Sequence, residues 1–144
     1  MIKGLFDSGA LPTLERLVQF TAARHRALSD NIANLSTPHF KPHDLDTGSF
    51  QVSLQRAIDD RRGRPNPVAG PLSLRNTRQL RFHADGIEAR PHRANLGVLF
   101  HDRNNRDLER TMQHLAENTG VHNAGLQLVR NQFQMLETAI RERV

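Results

Sequence analysis

Residues 107–141 read DLERTMQHLAENTGVHNAGLQLVRNQFQMLETAIR, a stretch without proline in which apolar residues recur every three or four positions. This spacing is typical of a helix that buries one stripe of side chains, here called the seam, against another helix. As a single helix the stretch would be roughly 50 Å long, at 1.5 Å per residue. The predicted seam comprises Leu108, Met112, Leu115, Leu126, Val129, Phe133, Leu136 and Ile140, with Thr119 and His122 in the central gap.

Residues 11–35 have the same spacing and supply a partner helix. Their predicted seam comprises Leu11, Leu14, Val18, Thr21, His25, Leu28, Ile32 and Leu35. Pro12 is compatible with a first helical turn, and Pro38 places the expected end of the helix near Ser36. We therefore predict a mainly α chain whose two long terminal helices form an antiparallel, coiled-coil-like hairpin.

Each seam carries a threonine and a histidine near its middle, Thr21 with His25 and Thr119 with His122. Polar residues at such positions commonly fix the register of a helix pair. Histidines there also suit a pH switch or a pair of metal ligands. The register-setting interpretation is favoured.

Between the helices lies a region predicted to be irregular or weakly β. The predicted divisions are 1–36 for the first helix, 37–101 for the middle region and 102–144 for the last helix. Within the middle, a short strand or helix is expected at Phe50–Ile58, a hairpin around Asn76–Thr77 and an edge strand at Leu96–Phe100. Asn104 or Asn105 is expected to cap the last helix.

The composition limits the classes of function that remain. The 144 residues are 37% hydrophobic, with a mean hydropathy of −0.60 and no cysteine, tryptophan or tyrosine. This is lean for a self-contained globule and suits a protein that completes its core with neighbouring chains. The lack of cysteine excludes disulfides, thiolate metal sites and cysteine nucleophiles.

Catalytic motifs are missing from the sequence. It contains no GxSxG, P-loop, HExxH or GxGxxG pattern. His39 and His43 are the closest histidine pair, but Pro42 between them prevents the helical geometry that would bring two imidazoles to one ion. We expect no enzymatic activity, no metal and no cofactor.

The net charge of +5 comes from the middle region, where Arg56–Arg93 contains nine arginines and four acidic residues. An excess of this kind is compatible with binding to nucleic acid, although tyrosine and tryptophan are absent for base stacking. Two alternatives therefore stay open beside the family considered next: an arginine-rich hairpin that binds nucleic acid, and a soluble coiled-coil adaptor.

Residues 28–41, LSDNIANLSTPHFK, resemble the N-terminal signature of bacterial flagellar rod, hook and hook-associated proteins, approximately N-x-A-N-x-x-T-P-G-Y-K. The matching residues, here called the assembly motif, are Asn31, Ala33, Asn34, Thr37, Pro38, Phe40 and Lys41. His39 stands where the pattern has glycine. Because Asn31 and Asn34 lie in the last turns of the helix, we expect their amides to bond either to unpartnered helix carbonyls or to the backbone of a neighbouring subunit.

Further similarity within this family is to the proximal rod proteins. It is carried by RHRA at 24–27, KPHDLD at 41–46 and DLERTMQHLAEN at 107–118. The resemblance implies a non-enzymatic structural subunit of the tubular rod of the flagellar basal body, which is required for motility. It also implies type III export without a cleaved signal peptide and a position in the periplasmic span of the rod. The implied partners are other rod proteins, the adaptor protein FliE, the MS-ring protein and copies of the chain itself.

Overall fold

The computed structural model describes residues 8–67, 69–83, 86–93 and 108–141, which contain three helices and four short strands. In chain order these elements are α1 (Leu11–Ala33), β1 (His43–Asp44), α2 (Thr47–Arg62), β2 (Leu80–Phe82), β3 (Ile87–Ala89), β4 (His92–Arg93) and α3 (Leu108–Arg141). The predicted fold class, mainly α with a long helix at each end, is confirmed. The expected strand at Leu96–Phe100 and the expected helix cap at Asn104 or Asn105 lie outside the described residues.

The helices α1 and α3 pack antiparallel. Thr21, in the middle of α1, contacts Asn118 and His122 of α3. Val18, one turn earlier in α1, lies against Gly125, which comes later in α3. Earlier positions of one helix thus meet later positions of the other, as the predicted hairpin requires.

The seam of α3 differs from the predicted one in half of its positions. Leu115, His122, Val129 and Leu136 are partly buried, in agreement with the prediction, but the fully buried positions are Thr111, Asn118 and Gly125. Each of these lies one residue before a predicted seam position, namely Met112, Thr119 and Leu126. The physical reason is the close approach of the helices: a Cβ atom on Gly125 would lie only 3.2 Å from Val18 Cγ2. A bulky side chain does not fit at such a contact.

The predicted seam is therefore corrected at several residues. Leu108, Met112, Phe133 and Ile140 are 37, 54, 45 and 57% exposed, and Leu126 is only partly buried. In α1 the prediction agrees better with the structure, since Leu28 is buried and Leu14, Val18 and Ile32 are partly buried. His25, however, is exposed.

The short element expected at Phe50–Ile58 is a helix and not a strand, since residues 47–62 form α2. Asp46 caps this helix by accepting hydrogen bonds from the backbone N–H groups of Gly48 and Ser49. The Ser49 hydroxyl also bonds to this carboxylate, and these contacts lower the pKa of Asp46. The ring of Phe50 stacks on that of Phe20 in α1, with centroids 4.0 Å apart and the planes 1° from parallel.

The strands form two small antiparallel pairs. β2 pairs with β3 so that Leu80 faces Ala89, and β1 pairs with β4. The hairpin was predicted around Asn76–Thr77, but its turn follows Phe82; this position is a correction. Leu80 and Phe82 belong to the first strand of the hairpin and pair with the residues that follow, instead of with Leu72 and Leu74 before them.

The core lies where α1, α2 and the strands meet. Its buried members are Phe20, Leu45, Phe50 and Leu80, with Leu17, Ala23, Leu54, Phe82, Ile87 and Ala89 packed around them. The helix α1 therefore has two contact faces, one toward α3 and one toward the middle region. α3, in contrast, contacts mainly α1 among the described elements.

Candidate assembly interface

The assembly motif begins in the last turn of α1, where Asn34 terminates the helix. Its backbone N–H and its Nδ2 both donate to the carbonyl of Asp30, at 3.1 and 2.9 Å. The expected local capping is thus found at Asn34. Two turns follow, closed by Thr37 N–H to the Asn34 carbonyl and Phe40 N–H to the Thr37 carbonyl.

Asn31 has a different role, because its amide binds a peptide group twelve residues along the chain. Asn31 Nδ2 donates to the His43 carbonyl at 2.6 Å, and the His43 N–H donates to Asn31 Oδ1 at 2.9 Å. The side chain is only 3% exposed. Asn31 therefore binds neither a helix-end carbonyl nor a neighbouring subunit, but fastens the returning chain to α1. The sequence alone gave no signal that His43 is its partner.

The turn between these anchors requires a left-handed residue at position 39. His39 has φ = 61°, the conformation that the glycine of the family pattern adopts without strain. For an L-residue this conformation costs about 1–2 kcal/mol. The departure from the pattern at His39 therefore leaves the turn in place at an energetic cost.

The rest of the motif is presented to solvent. Ala33, Thr37, Pro38 and Lys41 are exposed. Phe40 is partly buried, with its ring edge-on to the His43 ring at a centroid distance of 6.0 Å. The motif thus consists of a bracing part, Asn31 and Asn34, and an exposed turn that contributes little to the core.

A polar cluster lies at the centre of the α1–α3 contact. The Thr21 hydroxyl is 2.8 Å from His122 Nδ1, and Asn118 Nδ2 donates to the Thr21 carbonyl at 2.9 Å. The Thr21 hydroxyl oxygen also lies within hydrogen-bond distance of the Leu17 and Val18 carbonyls of its own helix, at 2.9 and 3.0 Å.

This arrangement agrees with a register-setting role for Thr21 and His122. The other two residues of the predicted set are not part of the cluster, since His25 is exposed and the Thr119 hydroxyl bonds to the Leu115 carbonyl of its own turn. Within residues 8–67, 69–83, 86–93 and 108–141, no group of three or more His, Cys, Asp or Glu side chains is placed to hold a metal ion.

A second polar cluster, not predicted from the sequence, joins three elements at Asp44. Arg24 of α1 binds its carboxylate with two hydrogen bonds of 2.9 and 2.8 Å. His114 of α3 approaches the same carboxylate, with Nδ1 3.7 Å from Oδ2. The relevant signal was the family-like sequence KPHDLD, which contains Asp44, but its partners lie 20 and 70 residues away. Asp44 links the end of the motif to both long helices.

The described helices are all too short or too polar to span a membrane. No protein-family model matches the chain. Individual proteins do match it along most of its length. A flagellar basal body rod protein FlgB from Cereibacter sphaeroides is 30% identical over 120 residues, covering 82% of this chain and 83% of the relative. Proteins of the same name from Yersinia ruckeri and Borrelia hermsii are 28 and 25% identical, over 93 and 88% of this chain and 95 and 91% of the relatives.

Proposed function

This chain belongs to the family of flagellar basal body rod proteins FlgB, and we propose that it is a structural subunit of the proximal rod. In this role its helices pack with those of other axial subunits into the tubular shaft. The proposal is carried by one observation: α3 has far more apolar surface than the described part of the chain covers.

Viewed down the axis of α3, successive residues are about 100° apart. In this view the apolar side chains occupy an arc of roughly 220°, with Met135 at one edge and Met112 at the other. The residues in contact with α1 span only about 100° of it. Val121, Leu128 and Met135, spaced seven residues apart, form a flank beside the seam and are 47, 50 and 56% exposed. A helix that is apolar on more than one side is normally enclosed by several partners. We assign this flank to contacts with neighbouring subunits.

The difference in length between the helices supports the same conclusion. α3 has 34 residues and α1 has 23. Because Val18 lies opposite Gly125, the start of α1 reaches only to about residue 132 of α3. Ile140 belongs to the stripe that would face α1, yet it lies beyond that helix and is 57% exposed. Another axial subunit would cover this end of the stripe.

The assembly motif supplies a second contact surface in this proposal. Its exposed turn, from Thr37 to Lys41, is braced from behind by Asn31 and Asn34. A braced turn loses little conformational entropy on binding. It therefore suits a repeated contact between subunits.

The expected neighbours are other rod proteins, the adaptor protein FliE, the MS-ring protein and further copies of the chain. The proposed location is the periplasmic span of the basal body, reached by type III export without cleavage of a signal peptide. Neither step requires catalysis, so we propose no enzymatic activity. Intact-mass measurement of the subunit from purified basal bodies tests the export proposal, which predicts the mass of the uncleaved chain.

The function is tested by placing a charge on the exposed flank of α3. Leu128→Asp should prevent incorporation into basal bodies and abolish swimming in a strain that lacks the native gene, because burying an unpaired carboxylate is costly. The free protein should keep its helicity, since Leu128 is already half exposed. Gln127→Asp adds the same charge about 100° round the helix from Leu128, on the polar side that faces away from the seam, and is the matched control.

Basal bodies that contain Leu128→Asp at the level of the Gln127→Asp control would contradict the proposed contact. Binding to nucleic acid with a steep salt dependence would instead favour the arginine-rich alternative. A stable small oligomer of the purified chain alone would favour the adaptor.

A further inference from the structure

A cleft of the middle region, remote from the α1–α3 contact, has polar side chains that the rod proposal does not use. It lies between α2 and residues 71–77, which belong to no helix or strand. Its lining residues are Ser53, Arg56, Ala57, Asp60, Ser73 and Arg75.

The wall formed by α2 is one face of that helix. Its lining residues are spaced by three, four and seven positions from Ser53, which places them in one stripe. Ala57 is buried and forms the floor, whereas Arg56 and Asp60 are exposed at the rim. The cleft is therefore small and apolar at its base and charged at its edge.

The opposite wall is fixed by Arg64, which follows α2. Arg64 donates to the Pro71 carbonyl at 3.5 Å and to the Ser73 hydroxyl oxygen at 3.4 Å. Because that oxygen accepts from Arg64, the hydroxyl proton of Ser73 is left to donate elsewhere. Ser73 and Arg75 both line the cleft, whereas Leu72 between Pro71 and Ser73 is buried.

The two arginines of the cleft are exposed and have no partner among the described residues. Among the described residues, neither Arg56 nor Arg75 forms a hydrogen bond or an ion pair, whereas Arg62 pairs with Asp59 and Arg90 with Glu88. Each guanidinium offers five N–H donors in a planar fork that matches a carboxylate. The hydroxyls of Ser53 and Ser73 add further donors.

We propose that this cleft binds an acidic segment of a partner protein. Carboxylates of that segment bond to Arg56 and Arg75, and Asp60 accepts a backbone N–H of the same segment. Asp60 is the feature that selects a peptide, because a sulfate ion or the phosphodiester backbone of DNA has no hydrogen-bond donor for it. The lining residues also include no aromatic ring on which a base would stack. This proposal does not depend on the rod function.

The test uses the full-length protein and a fluorescein-labelled peptide of alternating Glu and Gly, with the Gln–Gly peptide for comparison. Fluorescence anisotropy at low ionic strength should show binding of the Glu peptide only. Arg56→Gln and Arg75→Gln should each weaken that binding about tenfold, because each removes a charge-assisted hydrogen-bonded contact. Arg62→Gln is the matched control: it removes the same charge outside the cleft and should change the affinity less than about twofold.

Asp60→Ala separates a peptide site from a simple anion site. It should weaken binding of the Glu peptide while strengthening binding of sulfate, because only the peptide loses a hydrogen bond to Asp60. An increase in affinity for both ligands would overturn the proposal. It would also be overturned by an equal effect of Arg62→Gln, by no binding of the Glu peptide, or by tighter binding of an oligo-dT strand than of the peptide.

Discussion

Gly125 provides a sensitive test of how closely α1 and α3 approach. A Cβ atom at this position would lie 3.2 Å from Val18 Cγ2 and 3.7 Å from Leu17 Cδ2. Gly120, five residues earlier in the same helix, has no atom within 4 Å of the equivalent position. The two glycines therefore differ in their contacts while sharing a helical backbone.

The magnitudes follow from this difference. Replacing a helical glycine by alanine stabilises the helix by about 1 kcal/mol, so Gly120→Ala should raise the free energy of unfolding by that amount. Gly125→Ala gains the same helix propensity but crowds the contact with Val18, which costs about 1–3 kcal/mol. We expect Gly125→Ala to be less stable than Gly120→Ala by roughly that cost.

The assay is urea unfolding of the free chain followed by far-UV circular dichroism. A double-mutant cycle with Val18→Ala assigns the cost to one contact, because this substitution removes the Cγ2 atom that the new methyl group would meet. In the Val18→Ala background, Gly125→Ala should stabilise the chain about as much as Gly120→Ala does. If Gly125→Ala instead stabilises the unmodified chain as much as Gly120→Ala, the helices do not approach as closely as described.

Three further predictions concern the motif and the α2 cap. Asn31→Ala should reduce the free energy of unfolding by roughly 2–4 kcal/mol, because it leaves the His43 N–H and carbonyl without partners. Asn34→Ala removes one exposed hydrogen bond and should reduce the same free energy by less than about 1 kcal/mol. Urea denaturation measures both. His39→Gly should raise the melting temperature by relieving about 1 kcal/mol of left-handed strain, whereas His39→Ala should not raise it. The hydrogen bonds that lower the pKa of Asp46 stabilise the folded chain above a pH of about 4, and this contribution is lost as the pH falls through the folded-state pKa. Asp46→Asn can still cap α2 but does not titrate. In acid titrations this variant should therefore lose less stability than the unmodified chain.

The two long helices and their packing could be predicted from the sequence, because both depend on the spacing of apolar residues. Apolar residues at steps of three and four predicted both long helices and their antiparallel contact. What periodicity could not predict is which side of an apolar helix faces its partner. In α3 the apolar residues extend over more than one side, so the pattern placed Met112 and Leu126 in the seam where the structure has Thr111 and Gly125. The close approach at Gly125 decided between them, and that is a property of the packed pair.

The motif was recognisable, but the bonds within it were not. Capping by Asn34 follows from its place in the last helical turn, as expected for an amide beside unpartnered carbonyls. The bonds from Asn31 to His43 and from Arg24 to Asp44 instead depend on the path of the chain through Pro38 and Pro42. That path is fixed by several turns at once, and no local preference specifies it. The α2 cap at Asp46 was a local signal that the sequence did contain, and it was missed.

The central claim is that neighbouring subunits cover the exposed flank of α3 in the assembled rod. The chain has no cysteine, so Leu128→Cys and Gln127→Cys each introduce a single reactive thiol. The most direct measurement is the rate of maleimide labelling of each variant, free in solution and in purified basal bodies. We expect both thiols to react at similar rates in the free protein, and Leu128→Cys to become strongly protected in basal bodies while Gln127→Cys is affected less. Labelling of Leu128→Cys at the same rate in basal bodies as in the free chain would contradict the account.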